Sequence, residues 1–293
     1  MGVVSKFILL GLIVLLTACQ VEDASTLTST TASVYIENKG SDTMVNLALA
    51  WAERYQQLHP EVSLSVTGGG SGTGIAALVN NTVDIANASR KIKQEEIDQA
   101  KANGVTPVEF TVARDAIGII VNHENPIDKL TLQQLADIFT GRINNWAELG
   151  GPDLEIVRLS RETNSGTHVY FLETVIRLGS KENKDIFSRD TLLLPSSEGI
   201  ISEVRDNPHA IGYDGLGYIT PEVKVIAVAK DANSLYVLPS VDTVNDKSYP
   251  IARDLYMYTP GEPSPAVKAY IEWILSSDGQ QLVRELGFVP IKP

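Results

Sequence analysis

Residues 62–79 read VSLSVTGGGSGTGIAALV, and the stretch changes character twice. Val62, Leu64 and Val66 alternate with serine, which is the period of a half-buried strand. Gly68 to Gly74 then supply a loop of glycine and hydroxyl residues, and an apolar helix is expected from about Ile75 to Asn80. Strand, small-residue loop and helix is the unit from which open, mostly parallel sheets are built. Ligands of such sheets bind outside the carboxyl ends of the strands.

The unit recurs on both sides of this stretch. Upstream, Val34-Tyr35-Ile36 reads as a strand and Gly40-Ser41-Asp42-Thr43 as its loop. A helix to about Leu58 follows, with Met44, Ala48, Trp51, Tyr55 and Leu58 on one face. Downstream, Val83 to Ala86 is a third short strand leading to Ala88-Ser89-Arg90, and Lys93 to Asn103 is a polar helix. Ala116 to Val121 is a continuous apolar run, expected as a strand buried on both faces. Thr131 caps a helix ending at Phe139, with Leu135, Ile138 and Phe139 inward. Ile156 to Ser160 is a strand that ends in Arg161-Glu162-Thr163-Asn164-Ser165-Gly166-Thr167, and a helix over about His168 to Leu178 follows. Later strands are expected at Ala210 to Tyr213, Val223 to Val228 and Leu255 to Tyr258, and a helical region over Pro265 to Leu286. At 293 residues the chain exceeds one comfortable core, so two lobes are expected. Without a linker in the sequence, the chain must cross between them at least twice.

Composition excludes some functions. Hydrophobic residues at 43% support a real core, while a formal charge of −12 argues against nucleic-acid binding, which needs a basic face. A buried anion is not excluded, because it feels local dipoles more than screened surface charge. Lys6 and the apolar run Phe7 to Leu16 read as a signal segment over 1–18, too short to span a bilayer comfortably. It ends in Leu16-Thr17-Ala18-Cys19, similar to the lipobox of bacterial lipoproteins, and Cys19 is the single cysteine. Cys19 is therefore expected to carry lipid, palmitate included, rather than a disulfide. Residues 19–32, rich in Ser and Thr, read as a tether. The expected location is extracytoplasmic, on a membrane surface through that lipid.

Three strand ends meet helix starts at hydroxyl-bearing loops: Ser41-Asp42-Thr43, Gly70-Ser71-Gly72-Thr73 and Ser165-Gly166-Thr167. The first amides of a helix lack partners and carry the positive end of its dipole. Glycine admits a ligand close to the backbone, and hydroxyls can donate to it. Converging, such loops would form a cage of donors for a small tetrahedral oxyanion. Arg161 would add a bidentate guanidinium, and Arg90 stands at another strand end. Taken singly, each loop is more often explained by helix capping; the conjunction of three with arginines is what points to a ligand. Rival motifs fail on spacing. Gly69 to Gly74 lacks the Lys-Ser/Thr of a nucleotide loop, and no acidic residue completes a dinucleotide fingerprint. Ser71 and Ser165 lack the second glycine of a nucleophile elbow. His59, His123, His168 and His209 share no zinc spacing, so no metal and no cofactor are expected. No carboxylate pair stands out as acid and base, so the chain is expected not to be an enzyme.

These loops, together with Asp115 to Asn122, Leu135 to Trp146, Ala210 to Tyr213 and Tyr249 to Tyr256, resemble the phosphate-binding proteins of bacterial ABC-type phosphate importers. The resemblance covers essentially the whole mature chain, and Phe139 to Trp146 is its most specific part. It implies the type II periplasmic binding fold, an α/β architecture of two lobes with mixed, mostly parallel sheets flanked by helices and joined by two hinge strands. By the same analogy one lobe comprises 33–114 plus 249–293, and the other 115–248. The implied phosphate ligands are Ser41, Asp42, Thr43 and Met44; Ser71 and Gly72; Ser89 and Arg90; and Arg161, Ser165, Gly166 and Thr167. The implied partners are inorganic phosphate and the importer's permease subunits, with the receptor a monomer. Two departures stand out. Arg90 occupies the place of a family aspartate that accepts the proton of phosphate and so excludes sulfate; Asp42 is the candidate replacement. Thr163-Asn164 replaces the usual acidic-then-Gly pair, which should change the rigidity of that loop. Alternatives left open are a receptor of the same fold for sulfate, molybdate or a phosphonate, and a surface adhesion or sensing protein that binds phosphate.

Overall fold

The computed structural model describes residues 34–291, so Cys19, the segment 1–18 and the tether 19–32 lie outside the described residues. The chain begins β1 (Val34–Gly40), α1 (Val45–Leu58), β2 (Val62–Thr67), α2 (Ser71–Val79), β3 (Ile85–Ala88) and α3 (Gln94–Ala102). It continues through β4 (Val108–Val121), β5 (Lys129–Thr131), α4 (Leu132–Phe139), β6 (Val157–Arg161), α5 (Gly166–Phe171) and β7 (Leu192–Leu194). Next come α6 (Ser197–Asp206), β8 (Ala210–Gly215), β9 (Lys224–Ala229) and α7 (Val241–Asn245). The last elements are β10 (Ala252–Thr259), α8 (Pro265–Ile274) and α9 (Ser277–Glu285).

The strands order as β2-β1-β3-β10-β4-β8-β6-β7, with β9 beside β4 and β5. Five strand pairs are parallel and four antiparallel, and every antiparallel pair involves β4 or β10. The mixed, mostly parallel pairing expected is thus observed, parallel within each set of strand–helix units and antiparallel where the chain passes between them. β4 makes that passage. Val108 to Ala116 pairs with β10, whereas Ile117 to Val121 pairs with β8 and β9. Its buried residues extend on the amino-terminal side of the expected Ala116–Val121 segment, to Val112, Ala113 and Asp115, because a strand shared by two cores is covered on both faces.

The two largest hydrophobic clusters among the described residues flank β4, with smaller ones beneath α2 and α6. One gathers Ile36, Leu47, Trp51 and Tyr55 with Met257, Tyr270 and Phe288. The other gathers Ile119, Phe139, Trp146, Phe171, Tyr213 and Val228, with Tyr249, Ile251 and Val289 returning to it. Tyr218, from the middle of the chain, packs into the first core. Aromatic contacts dominate both. Phe171 stacks on Tyr213 at 3.7 Å between centroids, and the Trp51 indole N–H donates to Gly279 O at 2.8 Å, pinning α1 to α9. Truncating such a buried ring costs roughly 3–5 kcal/mol.

Several expected boundaries shift, and each shift has a cause. α2 starts at Ser71 rather than Ile75, because Gly74 packs directly on β1. A Cβ there would lie 2.6 Å from Gly40 Cα and from Lys39 O, so contact with the strand outweighs glycine's poor helix propensity. α5 starts at Gly166, where the Ser165 hydroxyl accepts from the Thr167 and His168 amides, and it passes into a π-turn over Leu172–Ile176. The C-terminal helical region is two helices, because Ser276 caps α9. Leu58 is 54% exposed rather than buried, at the frayed end of α1. β5, β7, α6 and α7 lie in stretches for which no element was expected.

Candidate functional site

Four loops converge at the carboxyl ends of β1, β2, β3 and β6: the first at residues 41–43, the second at 68–73, the third at 88–90 and the fourth at 161–167. Gly40 ends β1 with φ at +144° and leaves no room for a side chain against Asn87 O, so the chain turns at once into Ser41. The Ser41 amide donates to Asn87 O and the Gly70 amide to Gly40 O, each at 2.9 Å, which ties the first loop to the second and third. Thr43, Ser71, Ser89 and Thr167 are all buried hydroxyls. Thr43 Oγ1 lies 2.7 Å from Thr167 Oγ1, and Ser71 Oγ lies 3.2 Å from Ser89 Oγ while accepting from the Ser89 amide at 3.0 Å. Gly166 faces this second pair so closely that a Cβ would overlap both serine hydroxyls. Four loops therefore meet at one place, with the amino ends of α2 and α5 opposed.

Arg161 stands at the edge of this cluster and is 1% exposed. Its Nη2 donates to Asp42 Oδ2 at 2.6 Å and to Pro195 O at 2.7 Å. Nη1 donates to Ser197 Oγ at 2.8 Å, and Nε reaches Leu194 O at 3.4 Å. Four of the five guanidinium hydrogens are thus taken, which leaves one on Nη1. The bidentate donation expected of Arg161 reduces to a single N–H. Behind it, the Ser197 hydroxyl and the Gly215 amide donate to Asp214 Oδ1 at 3.0 and 2.7 Å. Burial pushes the Asp214 carboxyl up to about 6, with Arg161 pulling the other way.

The other expected residues divide. Ser165 supports the cluster as the α5 cap; its oxygen accepts, so its own proton remains to donate. The Met44 amide is taken by Ser41 O at 3.1 Å, and the Gly72 amide by Asn164 O at 2.9 Å. Ser41 Oγ is buried without a partner. The Arg90 guanidinium, in contrast to the expectation for it, is engaged away from the hydroxyl cluster. Its Nη1 and Nη2 grip both oxygens of Glu96 at 2.8 and 2.7 Å, and Nη1 also donates to Lys91 O. Glu96 in turn accepts from the Lys93 amide at the start of α3, so Arg90 serves helix capping.

Two charged residues at the cluster's floor were given no role. Arg253 on β10 stands directly opposite Asp115 on β4, and its Nη2 lies 2.9 Å from Asp115 Oδ2. The same guanidinium donates to Ser89 O at 2.9 Å and to Thr167 Oγ1 at 3.0 Å. Asp115 is fully buried, and burial pushes its carboxyl up against the pull of Arg253. An arginine and an aspartate both lay inside the segments that carry the family resemblance. Their cross-strand register was the missing signal, since it depends on β4 and β10 being antiparallel neighbours.

The charges nearly balance: Asp42 answers Arg161, Asp115 answers Arg253, and the hydroxyls and helix amino ends supply the remaining polarity. Such a cage suits a small oxyanion held by hydrogen bonds. It is poorly equipped for nucleophilic chemistry, because Ser71 neighbours Ser89 rather than a base, and His168 is engaged with Ser160 and stacked on Phe187. No group of His, Cys, Asp or Glu able to hold a metal occurs among the described residues.

The sequence profile of a family described as a PBP superfamily domain matches residues 25–278. The phosphate-binding protein PstS of Pseudomonas aeruginosa is 32% identical over 273 residues, covering 87% of this chain and 83% of that one. A crystal structure from Clostridium perfringens, of a phosphate ABC transporter substrate-binding protein with bound phosphate, is 33% identical with a TM-score of 0.78. It covers 88% of this chain and 100% of its own. An ABC-type phosphate transport receptor from Vibrio cholerae is 30% identical with a TM-score of 0.70, covering 87% and 99%.

Proposed function

The chain belongs to the PBP superfamily, among the phosphate-binding proteins of ABC-type phosphate importers, and from that premise we propose that it captures inorganic phosphate between its lobes for delivery to the importer's permease subunits. The observation that carries this reading is the meeting of Thr43, Ser71, Ser89, Gly166 and Thr167 from four separate loops, with the Arg161–Asp42 pair alongside. In this reading 33–114 with 249–293 forms one lobe and 115–248 the other, so a bound ion touches both and favours their closure. Thr43, Ser71, Ser89 and Ser165 donate hydroxyl protons, Thr167 backs Thr43 from behind, Gly166 lends its backbone, and Arg161 lends its one remaining N–H. Asp42, gripped through Oδ2, keeps Oδ1 to accept the proton of monohydrogen phosphate. Ser41, Met44 and Gly72 shape the loops, and Arg90 drops out of the ligand set.

The lipobox-like end of segment 1–18 supports a lipid on Cys19, with 19–32 as tether and the folded part a monomer outside the cytoplasm. The role is capture and release, not catalysis. Isothermal titration of the purified protein with phosphate and then sulfate tests the reading. Phosphate should saturate at one ion per chain, and sulfate at the same concentrations should give no binding heat. Equal heats for the two ions would overturn it in favour of a general oxyanion receptor.

A further inference from the structure

Arg253 meets the anion cluster from below. Its neighbours fix it on every side. Asp115, its cross-strand partner, accepts from Nη2 at 2.9 Å and from Nε at 3.3 Å. The Tyr170 ring lies under the guanidinium at 5.5 Å, and the Tyr170 hydroxyl is itself tied to Ala252 O at 2.5 Å. Nη1 donates to Ser89 O at 2.9 Å, in the third loop, and Nη2 donates to Thr167 Oγ1 at 3.0 Å, in the fourth. Both Arg253 and Asp115 side chains are at most 2% exposed. A buried ion pair of this kind adds little stability over an apolar pair of the same shape. Its geometry nevertheless has a definite consequence for the hydroxyls above it.

A guanidinium can only donate. The Thr167 hydroxyl that receives it must use a lone pair, so its own proton is directed elsewhere. Its other neighbour is Thr43 Oγ1 at 2.7 Å. If Thr167 donates there, Thr43 accepts and its proton in turn points outward. Two hydroxyls left to themselves could run in either sense; a Thr167 lone pair already given to the arginine favours Thr167 as the donor of the two. We propose that Arg253, held by Asp115, is a positioning residue that turns the Thr167 hydroxyl proton onto Thr43 Oγ1, so that the Thr43 proton stands ready as a donor to an oxyanion between the lobes. The inference rests on the anion-binding reading above and extends it to a residue outside the ligand set. A cage whose hydroxyls are already oriented need not reorganise when the ion arrives, and preorganisation of that kind raises affinity without a new contact.

A double-mutant cycle tests the inference. The dissociation constants of phosphate, arsenate, sulfate and molybdate are measured for wild type, Arg253→Lys, Thr167→Val and the double variant, with the melting temperature of each. Lysine retains a charge for Asp115 but cannot span Ser89 O and Thr167 Oγ1 together. A second cycle uses Asp115→Asn/Arg253→Gln, which removes both charges at once, so that one set still reports if the other fails to fold. With Thr167 present, replacing Arg253 should weaken phosphate by about tenfold or more; with Thr167→Val, the same replacement should cost less than about threefold. Equal losses in both backgrounds would overturn the inference, because they would mean that Arg253 acts through its charge or through packing, while leaving phosphate capture intact. If wild type ignores phosphate but binds another of the four ions, the phosphate reading falls, and the cycle is read with that ion. If wild type binds none of them, both fall.

Discussion

Asp42 shows how a residue in the site can have one oxygen committed and one open. Its Oδ2 is held by Arg161 at 2.6 Å, whereas Oδ1 has no hydrogen-bond partner among the described residues and lies beside Gly68. A monohydrogen phosphate brings one O–H that needs an acceptor; sulfate at neutral pH brings only acceptors, which a carboxylate oxygen repels. Asp42→Asn should therefore let sulfate in. The ratio of sulfate to phosphate dissociation constants, measured by titration calorimetry, is expected to fall by at least about tenfold, since an ill-matched buried polar contact costs about 1–3 kcal/mol. A ratio unchanged by the substitution would show that another group reads the proton. The candidate Asp42 was legible because it stands in a hydroxyl loop before a helix. The Arg90 side chain turns away for a reason equally present in the chain: Glu96, at the third position of the helix that follows, is where a capping carboxylate stands, and it claims the guanidinium. Arg253 and Asp115 could not be paired from the sequence, because 138 residues separate them and only the antiparallel register brings them together.

The helix starts carry the site, and they were the least legible boundaries. From the N-cap Met44 into α1, the inward positions Met44, Ala48, Trp51 and Tyr55 follow the helical period and are all buried, as their spacing predicts. The first turns of α2 and α5 consist of Ser, Gly and Thr, which intrinsic propensity assigns to loops. They are helical because tertiary contacts hold them: Gly74 on β1, and Gly166 against Ser71 and Ser89. α6, whose first residue Ser197 buttresses Arg161, has Ile200, Ile201 and Val204 inward, a pattern too short and too interrupted by polar residues to stand out. Gly166→Ala isolates what the close approach of α2 and α5 is worth. Its φ is not in the left-handed region and alanine favours helices, so the melting temperature should change little. The added methyl would, however, collide with both serine hydroxyls and hold the lobes apart. Phosphate binding should weaken by about tenfold or more, the range of an overpacked core position. Full affinity in that variant, with the fold verified by circular dichroism, would mean that the helix starts do not need to approach this closely.

At the scale of the whole molecule, the two lobes of the proposed reading share apolar contacts through Tyr218, Tyr249, Ile251 and Val289, and polar ones concentrated at the candidate site. Asp42–Arg161, Thr43–Thr167 and the Tyr218 hydroxyl on Asp42 O at 2.9 Å bridge them, and β4 and β10 run beneath. Asn164 adds two more bonds in reciprocal sense: its carbonyl accepts from the Gly72 amide at 2.9 Å, and its side-chain amide donates to Gly69 O at 3.0 Å. A glycine in this position, as in the related pattern, would retain the first bond and lose the second. Such a partly exposed bond is worth about 0.5–1.5 kcal/mol net, too little to hold the lobes together alone but enough to change how long they stay together. Asn164→Ala acts on the closed arrangement and not on the encounter of ion and open cleft. The release rate of labelled phosphate should therefore rise about two- to tenfold while the association rate stays within a factor of about two. An unchanged release rate would mean that closure is held by the ion and the buried hydroxyls alone. A slower association rate would instead place Asn164 on the path by which the ion enters.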